Sequence, residues 1–445
     1  MTRSWIGRAF LWIGISCTVG LRAGFAGDVP RPAPPAAKPP PTRTPLEEAI
    51  RKGSQGLAAL QGKGGIWWED VTGDDPVPVT PLALLALLGG GLPVDAPPIE
   101  AGLAALASQR PMQSTNGAAL TMLVLEALGN RRLGLPGDAS VDRYGQPIEP
   151  RNRLARYSEK EQAWMVECAH FLVASQIPSL EWIGPRVGTP EADRQWRRQT
   201  GSGAWASKRT EPTLPTEGVG YPIVVDASLS FTHNAILGLQ AAARCGVSVP
   251  ASTWRGALAC LALWEWPGGD AEELRANEVS AGVFREWKER ARARGFSPSG
   301  CTEGVSATWT AAGAATLAMC LASLPRDSDA DAGLVGEGRG ALLDALAWMQ
   351  RRGSAPWRVV GTSGIDPEVF LSVLSMGNAT RCRYVGTHDW SAEGTAELLR
   401  AQNADGTWGA GGLRGKATAV ALIFLTNGLI RSRVSVLGKP GLPAK

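Results

Sequence analysis

The chain has 445 residues, 19% of them charged, a net charge of +4, and 17 Trp against only 4 Tyr. This is a soluble globular composition with enough chain to bury a sizeable core. So small a net charge lacks the clustered basic footprint of a nucleic-acid binder, and no nucleic-acid partner is expected.

The first residues read as an export signal. Arg3 and Arg8 form a basic start, and Ala9 to Leu21 is an apolar stretch too short to span a bilayer. Gly24-Phe25-Ala26 then offers small residues for cleavage before Gly27. Residues 1–26 are therefore expected to be a signal peptide, with an uncleaved anchor as the alternative. The mature chain is expected in the periplasm or cell envelope. Residues 27–45 follow as a Pro-rich linker, whose eight prolines between Asp28 and Pro45 favour an extended polyproline spacer. A folded domain is expected over 46–430 and a short tail over 431–445. Cys168, Cys245, Cys260, Cys301, Cys320 and Cys382 include no Cys-x2-Cys pair, and the chain has only three histidines. They read as buried small hydrophobes.

Thr44-Pro45-Leu46-Glu47 combines an N-cap, a proline and a glutamate in the order of a capping box. An amphipathic helix should run from there to Gln61. After Thr80-Pro81, the stretch Leu82 to Leu88 is apolar on every face and should be buried. The couplet recurs: Leu-x3-Gln ends the amphipathic member at Leu57/Gln61, Leu172/Gln176, Leu346/Gln350 and Leu398/Gln402, with Leu261/Glu265 as a variant and Gln109 as a degenerate copy. Partner helices should start near Thr80, Thr115, Ser230, Thr308, Asp366 and Thr418. A second capping box stands at Ser158-Glu159-Lys160-Glu161. Six pairs follow, with no useful strand alternation between them. They bury their apolar members by closing into a double ring, or else by stacking into an open superhelix.

Gln-x3-Gly-x-Trp is written three times, at Gln61/Gly65/Trp67, Gln199/Gly203/Trp205 and Gln402/Gly406/Trp408. A repeat at fixed offsets marks a repeat architecture. Leu398 to Trp408, followed by Thr418 to Leu425, resembles the QW repeat of squalene–hopene cyclases and protein prenyltransferases. Gly238 to Val247, Thr310 to Gly313 and Asp389-Trp390 also look like that superfamily. The resemblance covers roughly 46–430 and implies an all-α fold, an α/α toroid of six helix pairs, with a central cavity for a greasy chain.

The chemistry of that superfamily is not written here in its usual form. Its terpenoid cyclases are similar to one another in an Asp-x-Asp-Asp acid, which this chain lacks; Ser228-Leu229-Ser230-Phe231 stands at the matching helix start. Asp226, just upstream, is a candidate acid or a helix N-cap. The zinc of the prenyltransferases needs Asp-x-Cys, whereas Cys301-Thr302-Glu303 has the elements reversed and only His388 to complete a set, so no metal and no cofactor is expected. Gly300-Cys301-Thr302-Glu303-Gly304 is reminiscent of a complement-type thioester motif without its glutamine. Asp327, Asp329 and Asp331 suggest a calcium loop, but Ala332 and Gly338 occupy its Gly and Glu positions, and a solvated acidic turn is the better reading. Arg285 to Arg294 reads as a basic surface helix, a candidate for peripheral membrane contact. Val305 to Leu324 is uncharged but reads as a core helix. The candidate catalytic residues are thus Asp226 and Glu303, and the candidate ligand-binding residues His233, Trp309 and Asp366. The expected function is binding of an apolar isoprenoid or lipid in a central cavity. The alternatives are a cyclase-like enzyme with a non-standard acid, and a protein-interaction scaffold of the cell envelope.

Overall fold

The computed structural model describes residues 43–67, 79–110, 113–132, 153–155, 157–177, 201–208, 227–280, 283–299, 304–324, 331–352 and 365–427. The expected export signal and tail, and most of the expected linker, lie outside them. The described chain is mostly helical, with one small antiparallel sheet.

Twelve helices are present among the described residues, and they alternate in character. The odd-numbered ones are α1 (Pro45–Ala59), α3 (Pro97–Ser108), α5 (Glu159–Ser175), α7 (Ala251–Trp264), α9 (Ala332–Arg352) and α11 (Trp390–Ala401). The even-numbered ones are α2 (Val79–Gly89), α4 (Thr115–Arg132), α6 (Leu229–Arg244), α8 (Ala307–Ser323), α10 (Pro367–Thr380) and α12 (Arg414–Leu425). The even helices are apolar and buried nearly all round: every residue from Val79 to Leu88 is buried, as is every residue from Ala417 to Leu425. Ala311, Ala312, Ala314, Ala315 and Ala318 keep α8 slim enough for its neighbours to approach closely. Each even helix packs on two others, in the series α2, α4, α6, α8, α10, α12, and α12 returns to α2. The odd helices flank this series, α1 against α2 and α12, α5 against α4 and α6, and α11 against α10 and α12. Both capping boxes form: the Thr44 and Ser158 hydroxyls accept from the amides of Glu47 and Glu161, whose carboxylates reach back.

The repeated phrase is a joint built the same way each time. The Gln61 amide donates to the carbonyls of Gly65 (3.1 Å) and Pro98 (2.9 Å). Gln402 does the same to Gly406 and Ala49, both at 2.9 Å. The second copy differs from the sequence match: Gln176, not Gln199, donates to Gly203 and Thr253, both at 2.9 Å. Gln199 falls outside the described residues. In each joint the glutamine ends one odd helix and holds the start of the next. The indoles of Trp67, Trp205 and Trp408 donate to Leu57, Leu172 and Leu398 at 2.7–2.8 Å. These are the leucines of the Leu-x3-Gln couplet, each in the last turn of its helix; the Leu57 carbonyl also accepts from the Leu60 amide at 3.1 Å. The backbone amides of the same tryptophans donate to the hydroxyls of Thr80, Thr232 and Thr418 on the even helices. Gly65, Gly203 and Gly406 have φ of +82°, +86° and +86°, and a Cβ there would lie 2.1–2.5 Å from a carbonyl oxygen of the next odd helix. Only glycine fits.

A fourth joint uses charge instead. Phe296 replaces the tryptophan, its amide donating to Thr310 at 3.1 Å. Glu265 replaces the glutamine, and Arg294 stands where the glycine would be. The guanidinium bonds Glu265 (3.3 Å) and lies 3.6 Å from Asp344 of α9. Burial first, then the Asp344 carboxylate, push Glu265 up to about 7, against the pull of Arg294.

The expectation of uninterrupted helices fails between α7 and α8. The basic run is not a helix: β1 (Ala271–Ser280) and β2 (Val283–Arg292) form a hairpin. Leu274, Ala276 and Ala291 are buried between exposed charged neighbours, a period of two masked by the density of charge. β3 (Cys382–Val385) and β4 (His388–Asp389) extend the sheet in the order β2-β1-β3-β4. Gln350 clamps this sheet rather than a Gly-x-Trp turn, donating to Glu273 and accepting from the Arg275 amide. Trp390 is no repeat plate either: its indole bonds Cys382, and its ring fills the space left by Gly377.

Candidate functional site

The joints hold the starts of α2, α6, α8 and α12, and residues from the first two turns of the even helices line one pocket of about 70 Å³. All six contribute. Leu82 comes from α2, Asn116 and Leu120 from α4, and His233 and Asn234 from α6. Trp309 comes from α8, Glu368 and Leu371 from α10, and Lys416 from α12. Helix N-termini carry partial positive charge, so the site is electropositive before any side chain is counted.

The side chains then shape it. The Asn234 side-chain amide donates to Asn116 Oδ1 at 2.9 Å, which leaves its own Oδ1 buried and without a partner. His233 is 3% exposed, and its Nε2 is likewise unpartnered. Burial pushes its imidazole down to about 4, so the ring is neutral near pH 7. Lys416 lies 3.3 Å from Glu368, and the two charges cancel. Trp309 is half-buried and lines the same pocket.

Two of the three expected ligand-binding residues, His233 and Trp309, are therefore brought together. Asp366 is not part of the lining. It caps α10, accepting from the Glu368 amide at 2.9 Å, and burial raises its pKa. The candidate acids Asp226 and Glu303, with Cys301, lie outside the described residues. Ser228 caps α6 through Phe231. Asn116, Asn234, Glu368 and Lys416 were not singled out from sequence. Their signal is there: each is a polar residue in the first two turns of an otherwise apolar helix.

A second buried polar cluster lies toward the other ends of α4 and α6. Glu126 accepts two bonds from Arg244, at 2.8 and 2.7 Å, and lies 3.7 Å from Arg153. Tyr157 meets Cys245 at 3.3 Å. Its partners tie two even helices to the chain before α5. Cys168, Cys245, Cys260, Cys320 and Cys382 are free and buried, as expected of small hydrophobes, and burial pushes the Cys168 and Cys245 thiols up to about 12. His388 pairs with Glu393. Asp331 is not a solvated turn residue: it is 5% exposed and takes a two-pronged ion pair from Arg255. Among the described residues no group of His, Cys, Asp and Glu could hold a metal ion, and no helix is long and apolar enough to cross a membrane. Residues 307–323 form α8, part of the core.

No protein-family model matches the chain, and no curated protein does.

Proposed function

We propose that the chain is an α/α toroid of the squalene-cyclase and prenyltransferase repeat type, exported to the periplasm or cell envelope, that works by binding a ligand where its six inner helices begin. The even helices are the inner ring and the odd helices the outer one. The return of α12 to α2, and the Gln402 bond that carries α11 back to α1, support a closed ring over an open superhelix.

The observation that carries the binding reading is a pocket lined from all six inner helices whose wall includes His233 and Asn234, each of which has a buried atom, Nε2 and Oδ1, without a partner. A buried polar group without a partner costs about 1–3 kcal/mol, so a fold that keeps two on successive residues of one pocket wall is suited to something that bonds them. Size favours a small polar group over the isoprenoid chain expected from the resemblance. At about 30 Å³ per water-sized group, the pocket holds roughly two. A ligand larger than this would insert only one end into the pocket.

The test is native mass spectrometry of the protein purified from its own cells, beside the Trp309→Ala and His233→Phe variants. The reading expects a stoichiometric small molecule on the wild type that both folded variants lose. A molecule retained equally by both variants would overturn it.

A further inference from the structure

The proposed site is chemically selective, and the selection works by exclusion. An anion would face the Asn234 oxygen and the Glu368 carboxylate, with the one lysine already paired. His233 is held neutral and adds no positive charge. A cation would oppose Lys416 and the positive ends of the inner helices. A hydrocarbon would bury His233 Nε2 and Asn234 Oδ1 without partners.

A neutral group that both donates and accepts meets none of these objections. A hydroxyl donates to the Asn234 oxygen and serves His233 in either tautomer. The Trp309 ring supplies an apolar plate on which the C–H face of a sugar can rest. We propose, on the reading that this pocket binds a ligand, that the ligand is a hydroxyl-bearing one, a sugar or polyol that places a hydroxymethyl-sized end between His233, Asn234 and Trp309.

The chain has only three histidines, His170, His233 and His388, so imidazole-labelled full-length protein gives a spectrum simple enough to follow by NMR. His233 is assigned with His233→Phe, and the probes are glycerol, methyl α-glucoside, acetamide, inorganic phosphate and farnesene, an isoprenoid hydrocarbon without a hydroxyl. The proposal expects the His233 signal to move saturably with glycerol or methyl α-glucoside while the other two stay still. Asn234→Leu, its fold checked by circular dichroism, should weaken that binding at least about tenfold, the loss of a buried hydrogen bond of roughly this strength. Trp309→Ala should weaken methyl α-glucoside more than glycerol. A saturable shift with acetamide, phosphate or farnesene but neither hydroxylated probe would overturn the ligand class and keep the pocket as a binding site. No shift with any probe, the pocket holding water only, would overturn both.

Discussion

At the scale of the residue, this protein relies on side chains that close the bonds a helix end leaves open. Trp408 satisfies Leu398 through its indole and Thr418 through its backbone amide. Trp408→Phe keeps the apolar plate and removes the indole donor, so it should cost about 1–3 kcal/mol for the orphaned carbonyl. Trp408→Ala should cost about 3–5 kcal/mol through the cavity as well. Denaturant midpoints of the two variants would separate the terms. His233 provides a second check. Its folded pKa is pushed from 6.5 down to about 4, so the folded state binds fewer protons than the unfolded one between those values. Stability from this group is full above about pH 6.5 and is lost as pH falls through about 4. Its NMR titration should show a neutral ring at pH 5. The tryptophans were legible in the sequence because their spacing repeats. Thr232 and Thr310 were not, since Ser230 and Thr308, two residues earlier, looked like the helix starts and mask which hydroxyl meets the joint.

At the scale of the element, two kinds of joint perform one task. Three use a glutamine amide, which carries no charge at any pH; one uses Glu265, Arg294 and Asp344. The folded-state pKa of Glu265 is above its ordinary 4.5, so the fold favours the protonated carboxyl. Its contribution is full below about pH 4.5 and falls as pH rises through about 7. Glu265→Gln installs the neutral amide of the other joints. The thermal midpoint of the variant should exceed that of the wild type at about pH 8, with the gap closing toward pH 4.5; a gap constant with pH would contradict the titration. Glycines divide in the same way. Gly406→Ala forces a side chain to φ +86° and against the Lys52 carbonyl, and should destabilise strongly. Gly340→Ala, on an exposed helical face with nothing within 4 Å, should stabilise by about 0.5–1 kcal/mol, and thermal melts of the pair would check both signs. Helix pairs were legible here because apolar runs and capping boxes are local signals. The β1–β2 hairpin was not, because its inward residues are Leu274, Ala276 and Ala291, two of them alanines that read as easily as helix.

At the scale of the whole molecule, the proposed binding site belongs to no single stretch of sequence. Its walls span Leu82 to Lys416, and no local motif encodes a pocket assembled from six helix starts. The resemblance suggested where to look, and His233 and Trp309 were found that way; the partners that give the site its polarity emerged only once the helices were packed. The bond from Gln402 to Ala49 joins residues 353 apart. Gln402→Ala should lower stability by roughly 1–3 kcal/mol, as should Gln61→Ala, since each removes two side-chain hydrogen bonds that hold a joint. They should differ in kinetics, because only the first lies across the closure, and stopped-flow refolding would show it as a slower final phase. That same contact sets a schedule for synthesis. At about 5–20 residues per second, the ribosome emits α1 on the order of half a minute before the helices that cover it. Through that interval one side of the first helix has no native neighbour, and whatever holds the nascent chain must shield it until the last pair arrives.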